Sequence, residues 1–395
     1  MRRTLSNDPI SALIAPENRT DPYSLYSRIR QERPIFWHEP LQSWFVTRYD
    51  DAVEVLRDSS LFGSDWRRAG EDVPPQFISV QTLDPPEHAI VRRPLMAALR
   101  TVDGPGFDSF VTARSTELLA GLAGRASFDL VTDFAEPLTL STTMWLLGVP
   151  EPDLGWFVPV ADAIVDGMDA GLWPERAAAA ASAKAELSEH IAGWLADPPS
   201  RGMVGHLARH TGTGTGGGGG IEPAVLANTV RVLLHAGYTS ASKFLTLAAA
   251  ALLALPGGVS RFPVDPRAAA TAVDELARFT SPVQAVARAC VLDCELAGAR
   301  VRTGDGMTVL VGAANRDPDR FPDPDDLRLD RAPNPHLGFG RGPHSCLGSV
   351  VATRQARAVF SLLARRHPDL RPTDLPRYRP NVTLRGLSRL EVTVG

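Results

Sequence analysis

Cysteine is scarce: 3 in 395 residues, at Cys290, Cys294 and Cys346. So few thiols exclude a disulfide-stapled scaffold in a chain this long and point to a reducing compartment, the cytoplasm. No uninterrupted apolar stretch approaches the roughly 20 residues a membrane span needs. The longest predominantly apolar run, 244–255, has 12. It lies inside a longer helical pattern and reads as a buried core helix. Residues 1–16 carry Arg2 and Arg3 but no apolar leader core or small-residue cleavage site. The expectation is a soluble, unanchored protein. Nor is there a surplus of basic charge: Lys plus Arg number 41 against 45 acidic residues, a net charge of −4. A global nucleic-acid footprint is therefore missing. Internal repeats are absent too.

Apolar residues at 44% and charged residues at 22% fit a folded globular chain. Residues 22–60 read helix, strand 35–38, turn, strand 44–49, helix. Residues 62–82, with Pro74 and Pro75, read as a long loop. Helical patterns follow at 86–100, 107–124, 129–147, 152–167, 176–196 and 202–209. Residues 211–220, Thr-Gly-Thr-Gly-Thr-Gly-Gly-Gly-Gly-Gly, read as a flexible connector. No strand precedes them and no Lys-Ser/Thr follows, so a phosphate loop is disfavoured. A central helix is expected over about 223–255, roughly 50 Å at 1.5 Å per residue. Another covers 266–279. Short strands are expected at 285–291, 294–296, 300–302 and 307–311. An irregular Pro/Asp-rich stretch and a glycine-rich loop then lead to a final helix at 347–366. No composition shift marks a domain boundary. The fold class is mainly α with a minor β region.

The most informative segment is Phe339-Gly-Arg-Gly-Pro-His-Ser-Cys-Leu-Gly348. Its glycines permit backbone paths closed to other residues. Cys346 precedes a helix, whose N–H groups and dipole favour an anionic sulfur, a nucleophile or metal ligand. Arg341 and His344 add positive charge nearby. The segment resembles the heme-binding loop F-G-x-G-x-H-x-C-x-G of the cytochrome P-450 family.

That resemblance implies heme b (iron protoporphyrin IX), with the Cys346 thiolate as axial ligand to the metal, a push of electron density that favours O–O cleavage. It implies Phe339 packed by the sulfur and His344 at a propionate. His88 and Arg92, i and i+4 on one helical face, and Arg288 of Pro282-x5-Arg resemble the family's other propionate ligands. Glu275-Leu-Ala-Arg278 is similar to the family's Glu-x-x-Arg, about 70 residues before the cysteine. With Arg331 of the Phe321-Pro-Asp-Pro stretch, it implies a buried structural triad. The likeness runs from about residue 20 to the C-terminus, implying one P-450 domain over 1–395.

One departure stands out. Where the family usually carries A-G-x-[Asp/Glu]-Thr, this chain has Ala236-Gly237-Tyr238-Thr239-Ser240. A hydroxyl survives at Ser240, but Thr239 stands in the acid's place. No Asp or Glu occurs from 223 to 255. General acid catalysis contributes about 10²–10⁴-fold, so the loss bears on hydroxylation. Ala236, Gly237, Thr239 and Ser240 are nonetheless the catalytic candidates. The non-acidic pattern is similar to P-450 enzymes that couple aromatic groups in cyclodipeptides or short peptides. Lys243 reads as an ion pair away from the heme in preference to a cation on a proton path. Thr353 and Gln355 replace an Arg and a Glu common after the cysteine, which bears on the redox-partner face.

The resemblance thus implies a heme-thiolate monooxygenase acting on an apolar or aromatic small molecule of secondary metabolism. Radical oxidative coupling, and heme binding without turnover, are the alternatives. Electrons would come from NAD(P)H through a ferredoxin or flavodoxin-like donor and its reductase, met by Arg341, Arg354 and Arg357. Peroxide-driven turnover is weakened by the missing Arg-Pro pair in the central helix. Trp66, Phe77, Trp173, Val283 and Val286 are the substrate-pocket candidates. Cys290 and Cys294 read as small core residues. His206 and His210 have zinc-compatible spacing but no third ligand. His38, His190, His235 and His367 form no constellation.

Overall fold

The computed structural model describes residues 8–18, 20–209 and 220–393. Thus 211–219 of the glycine-rich connector, and His210, lie outside the described residues. The architecture is helix-dominated, with one five-stranded sheet and three small ones. In the main sheet, Ile35–His38 pairs antiparallel with Ser43–Val46, which runs parallel to Gly306–Leu310. Ala285–Cys290 follows antiparallel, with Phe62–Gly63 at the edge. Strand Ile35–His38 falls where the sequence pattern placed it. Strand 44–49 shortens to Ser43–Val46, because Tyr49 opens the next helix with its N–H on Asp317.

The central helix runs Pro223–Leu253, 31 residues. It opens with Pro at its first position, where a missing N–H costs nothing. Helix Glu136–Leu147 packs along it, as do Leu154–Asp166 and Arg176–Ala196. The expected helix 129–147 is in fact divided: residues Leu130–Ala135 form a π turn before the α-helix begins at Glu136. The predicted loop 62–82 likewise contains a two-residue strand and two short 3-10 turns. The largest apolar core gathers the C-terminal half of the central helix, helix Pro266–Thr280 and helix Ser349–Arg366. A second core joins the N-terminal half to helices Glu87–Arg100 and Leu154–Asp166. The central helix is therefore the shared wall of both cores. Among the described residues no helix is long and apolar enough to cross a membrane.

Candidate heme site

The cysteine loop owes its shape to two residues in the left-handed region, Gly340 (φ 67°) and Gly342 (φ 74°). A side chain at 342 would collide with the carbonyl oxygen of Leu56. The loop closes on itself: the Cys346 N–H donates to the Phe339 carbonyl at 2.8 Å. The following helix begins at Ser349, two residues later than the sequence pattern placed it. Cys346 is an exposed free thiol. Burial of its thiol by the surrounding protein nevertheless pushes the pKa up. The N–H groups of Gly348 and Ser349 and the Arg92 guanidinium oppose that and favour the thiolate.

Around this loop lie the expected cations. Arg288 is 7% exposed, and its guanidinium donates to its neighbour's carbonyl, Ala287, at 2.8 Å. No carboxylate among the described residues forms an ion pair with it. Arg92 donates to the Ser345 carbonyl at 2.7 Å. The buried His88 ring lies 4.4 Å from the His344 ring, centroid to centroid, and its Nε2 has no hydrogen-bond partner. Burial, with His344 and Arg92 nearby, lowers its pKa to about 4. His344 itself sits 3.4 Å from Asp84 Oδ1. Burial would raise the Asp84 carboxyl, but His344, the N–H groups of Ser64 and Asp65, and Arg68 hold it well below the carboxylate range. Sequence reasoning missed Asp84 as a partner; its side chain anchors His344 from 260 residues away. Phe339 packs against the largest core cluster, with its ring 5.6 Å from His336.

The central helix is buried on most sides where it passes the notch, yet Ala236 and Gly237 are exposed. The helix thus exposes two small residues, and a Cβ added at Gly237 would meet the Thr143 side chain at 3.0 Å. Ser240 Oγ donates to the Ala236 carbonyl at 2.7 Å. Thr239 turns away: it is buried and donates to the His235 carbonyl at 2.8 Å. Lys243 is buried 4.0 Å from Asp162. The surroundings that sequence reading favoured for it, an ion pair, are the ones it has.

Glu275, Arg278 and Arg331 come together. Arg278 clasps the Glu275 carboxylate with two bonds of 2.7 and 2.8 Å. Arg331 Nε adds 3.0 and 3.1 Å, and Asn334 a further bond at 3.1 Å. Both guanidiniums also donate to backbone carbonyls of the 322–326 stretch.

The pocket candidates sit on separate elements. Phe77 is 39% exposed under Lys184, and Trp173 stacks on Arg176 at 4.0 Å. Trp66 opens a short 3-10 turn, while Val283 bridges to Leu384 and Val286 stands in the main sheet. Gln355, expected to bear on a partner-facing surface, is buried and donates to Thr142. Arg354 and Arg357 are both paired to Asp108 at 3.1 Å. Cys290 is buried in the sheet core and Cys294 packs against it. Among the described residues no group of three or more His, Cys, Asp or Glu could hold a metal ion.

A glycine-shaped cysteine loop, a buried Glu–Arg–Arg cluster and a long central helix with exposed small residues at 236–237 define the class, and comparison with known proteins agrees. The sequence profile described as Cytochrome P450 matches residues 269–367. Cytochrome P450 105A3 of Streptomyces carbophilus is 31% identical over 406 residues, covering 96% of this chain and 95% of that one. The monooxygenase PikC of Streptomyces venezuelae is 31% identical over 417 residues, covering 99% and 97%. The crystal structure of CYP109E1 from Bacillus megaterium with testosterone superposes with a TM-score of 0.87 at 26% identity, covering 96% and 100%. That of the polyketide-synthase cytochrome P450 PksS of Bacillus subtilis gives 0.86 at 27%, covering 99% and 100%. The chain belongs to the cytochrome P450 family and is a cytochrome P450 monooxygenase, with the family's heme-thiolate cofactor.

The residues present fit that group. A flat dianion needs cations and donors at its edge. Arg288 is a buried cation without a paired carboxylate, and His88 holds an orphaned ring nitrogen. Buried charges and donors of this kind are retained where a partner satisfies them.

Proposed function

We propose that Cys346 supplies the thiolate ligand and that Arg288, Arg92 and His88 receive the propionates. When bound, the heme supplies dioxygen activation at its iron. Ala236 and Gly237 would leave room for it, and Ser240, now donating to the Ala236 carbonyl, would offer a hydroxyl from the central helix. The substrate is an apolar or aromatic small molecule of secondary metabolism; PksS, among the relatives, is named for polyketide biosynthesis. The observation that carries this reading is an exposed thiol at 346 at the end of the glycine-shaped loop, beside Arg92, whose guanidinium donates to the Ser345 carbonyl.

Oxidative coupling is the second reading, and one observation favours it. Thr239 holds the acid's place and its hydroxyl is committed to His235. Thr239 has no proton ionisable near neutrality. Joining two aromatic partners with loss of two hydrogens makes no use of oxygen rebound. Product mass separates the readings. Reconstituted enzyme with a candidate substrate gives a gain of one oxygen for insertion, and a loss of two hydrogens between joined partners for coupling. Neither pyridine-nucleotide consumption nor product defines the third possibility, heme binding without turnover; consumption together with product excludes it.

Bacterial enzymes of this type draw electrons from a ferredoxin and its reductase. Such an acidic donor suits the cleft of about 580 Å³ beside the cysteine loop, lined by Arg92, Arg93, Arg100 and Ser345. Arg93 and Arg100 are exposed there. Arg341 adds exposed charge, whereas Arg354 and Arg357 share Asp108. The working compartment of this reading is the cytoplasm.

A further inference from the structure

Three aspartates line one face of the helix Leu154–Asp166 and the 3-10 turn Gly167–Asp169 that follows it. Asp162, Asp166 and Asp169 are spaced four and three apart, which stacks them along that face. Each meets the same irregular segment, residues 379–383. Arg379 pairs with Asp162 at 2.7 Å. Asn381 donates to Asp166 at 2.8 Å. The N–H groups of Val382 and Thr383 each donate to Asp169, both at 2.9 Å. The Asp169 side chain is fully buried, and Arg176 stands 3.9 Å from it.

The other side of the segment is equally tied. Gln284 N–H donates to the Thr383 carbonyl at 2.9 Å, and Arg385 N–H to the Pro282 carbonyl at 2.8 Å. Val283 bridges to Leu384. Just after the segment, Gly386 is pressed on the Lys243 stem, where an added Cβ would lie 2.6 Å from Cγ. Residues 379–385 are therefore clamped between the aspartate face and the chain entering strand Ala285–Cys290. That strand carries Val286 one repeat before Arg288.

We propose that Asp169 is a specificity-positioning residue: by holding the backbone of Val382 and Thr383 it fixes the chamber wall formed by 382–384 and 283–286. Asp162 and Asp166 complete the clamp. This rests on the reading that Arg288 marks the edge of the bound heme. A carboxylate accepts from both N–H groups at once. An amide offers a single acceptor oxygen and turns a donor toward the second N–H. Asp169→Asn thus frees half the clamp while keeping the side chain's shape. A freed wall must be re-ordered by any molecule that leans on it, which costs affinity. A molecule that stays at the iron is indifferent.

The test is spectral titration of the ferric holoenzyme with two nitrogen ligands, imidazole and the bulky aryl azole econazole. Asp169→Asn is expected to weaken econazole about tenfold and to leave imidazole within about twofold. Asn381→Asp, which sets a like charge against Asp166, carries the same expectation if the first variant yields no pigmented protein. Equal change for both ligands, or change in neither, overturns the proposal. A wild-type protein whose spectrum responds to neither ligand overturns the heme reading itself, and the proposal with it.

Discussion

Glu275 shows how one residue is committed to structure. It is fully buried, receives two guanidiniums and accepts a backbone N–H from Arg328 at 3.0 Å. Burial would raise its carboxyl; Arg278, Arg331 and that N–H bring it below the usual value instead. A depressed folded pKa stabilises the fold above the ordinary carboxyl range and is lost as pH falls through the folded value. Glu275→Gln leaves two buried cations unpaired. The expected loss is about 3–5 kcal/mol in urea unfolding of the holoenzyme. The variant also loses this residue's share of the stability decline below about pH 4. An unchanged unfolding midpoint would contradict this assignment. The role was legible through the family resemblance; the Glu-x-x-Arg spacing alone reads as a surface pair. Asn334, 59 residues away, carried no such signal, because a loop amide reaches its partner only after folding.

At the scale of elements, the instructive region is where helix Glu136–Leu147 meets the central helix and strand Arg377–Tyr378. Burial, with Asp162 beside it, raises Glu136 to about 7, against the pull of Arg379 and Lys243. A raised folded pKa means the folded state holds the proton, so stability falls as pH rises from about 4.5 to about 7. Glu136→Gln should flatten that decline in melting temperature; an undiminished slope would contradict it. None of this was readable beforehand. Helix periods predict faces, not the distant stretch after strand Arg377–Tyr378 that supplies Arg379. The same reason explains Gln355. Nearness to Cys346 suggested a surface role, but Gln355 lies four residues before Val359, on the face buried in the core. By contrast the cysteine loop was legible almost whole. Its glycine spacing encodes left-handed turns at 340 and 342, a local demand that needs no distant partner.

For the whole molecule, helix order and the long central helix followed from apolar periodicity and proline placement. The parallel pairing of Ser43–Val46 with Gly306–Leu310 did not, since it joins chain segments 263 residues apart. The proposed partner-facing surface is likewise a product of folding. It brings Arg93 and Arg100 to the cleft beside Ser345. Reversing both charges (Arg93→Glu with Arg100→Glu) should slow reduction by ferredoxin roughly tenfold at low salt, less at high salt. Chemical reduction by dithionite should be unaffected. Equal slowing by both reductants would place the effect in the heme pocket instead.

The most direct measurement is the carbon monoxide difference spectrum of the reduced protein, wild type beside Cys346→Ala and Ser240→Ala. Wild type and Ser240→Ala are expected to give the red-shifted thiolate-type band, and Cys346→Ala to lose it. A thiolate band that survives Cys346→Ala, or a wild type that incorporates no heme, would contradict the account.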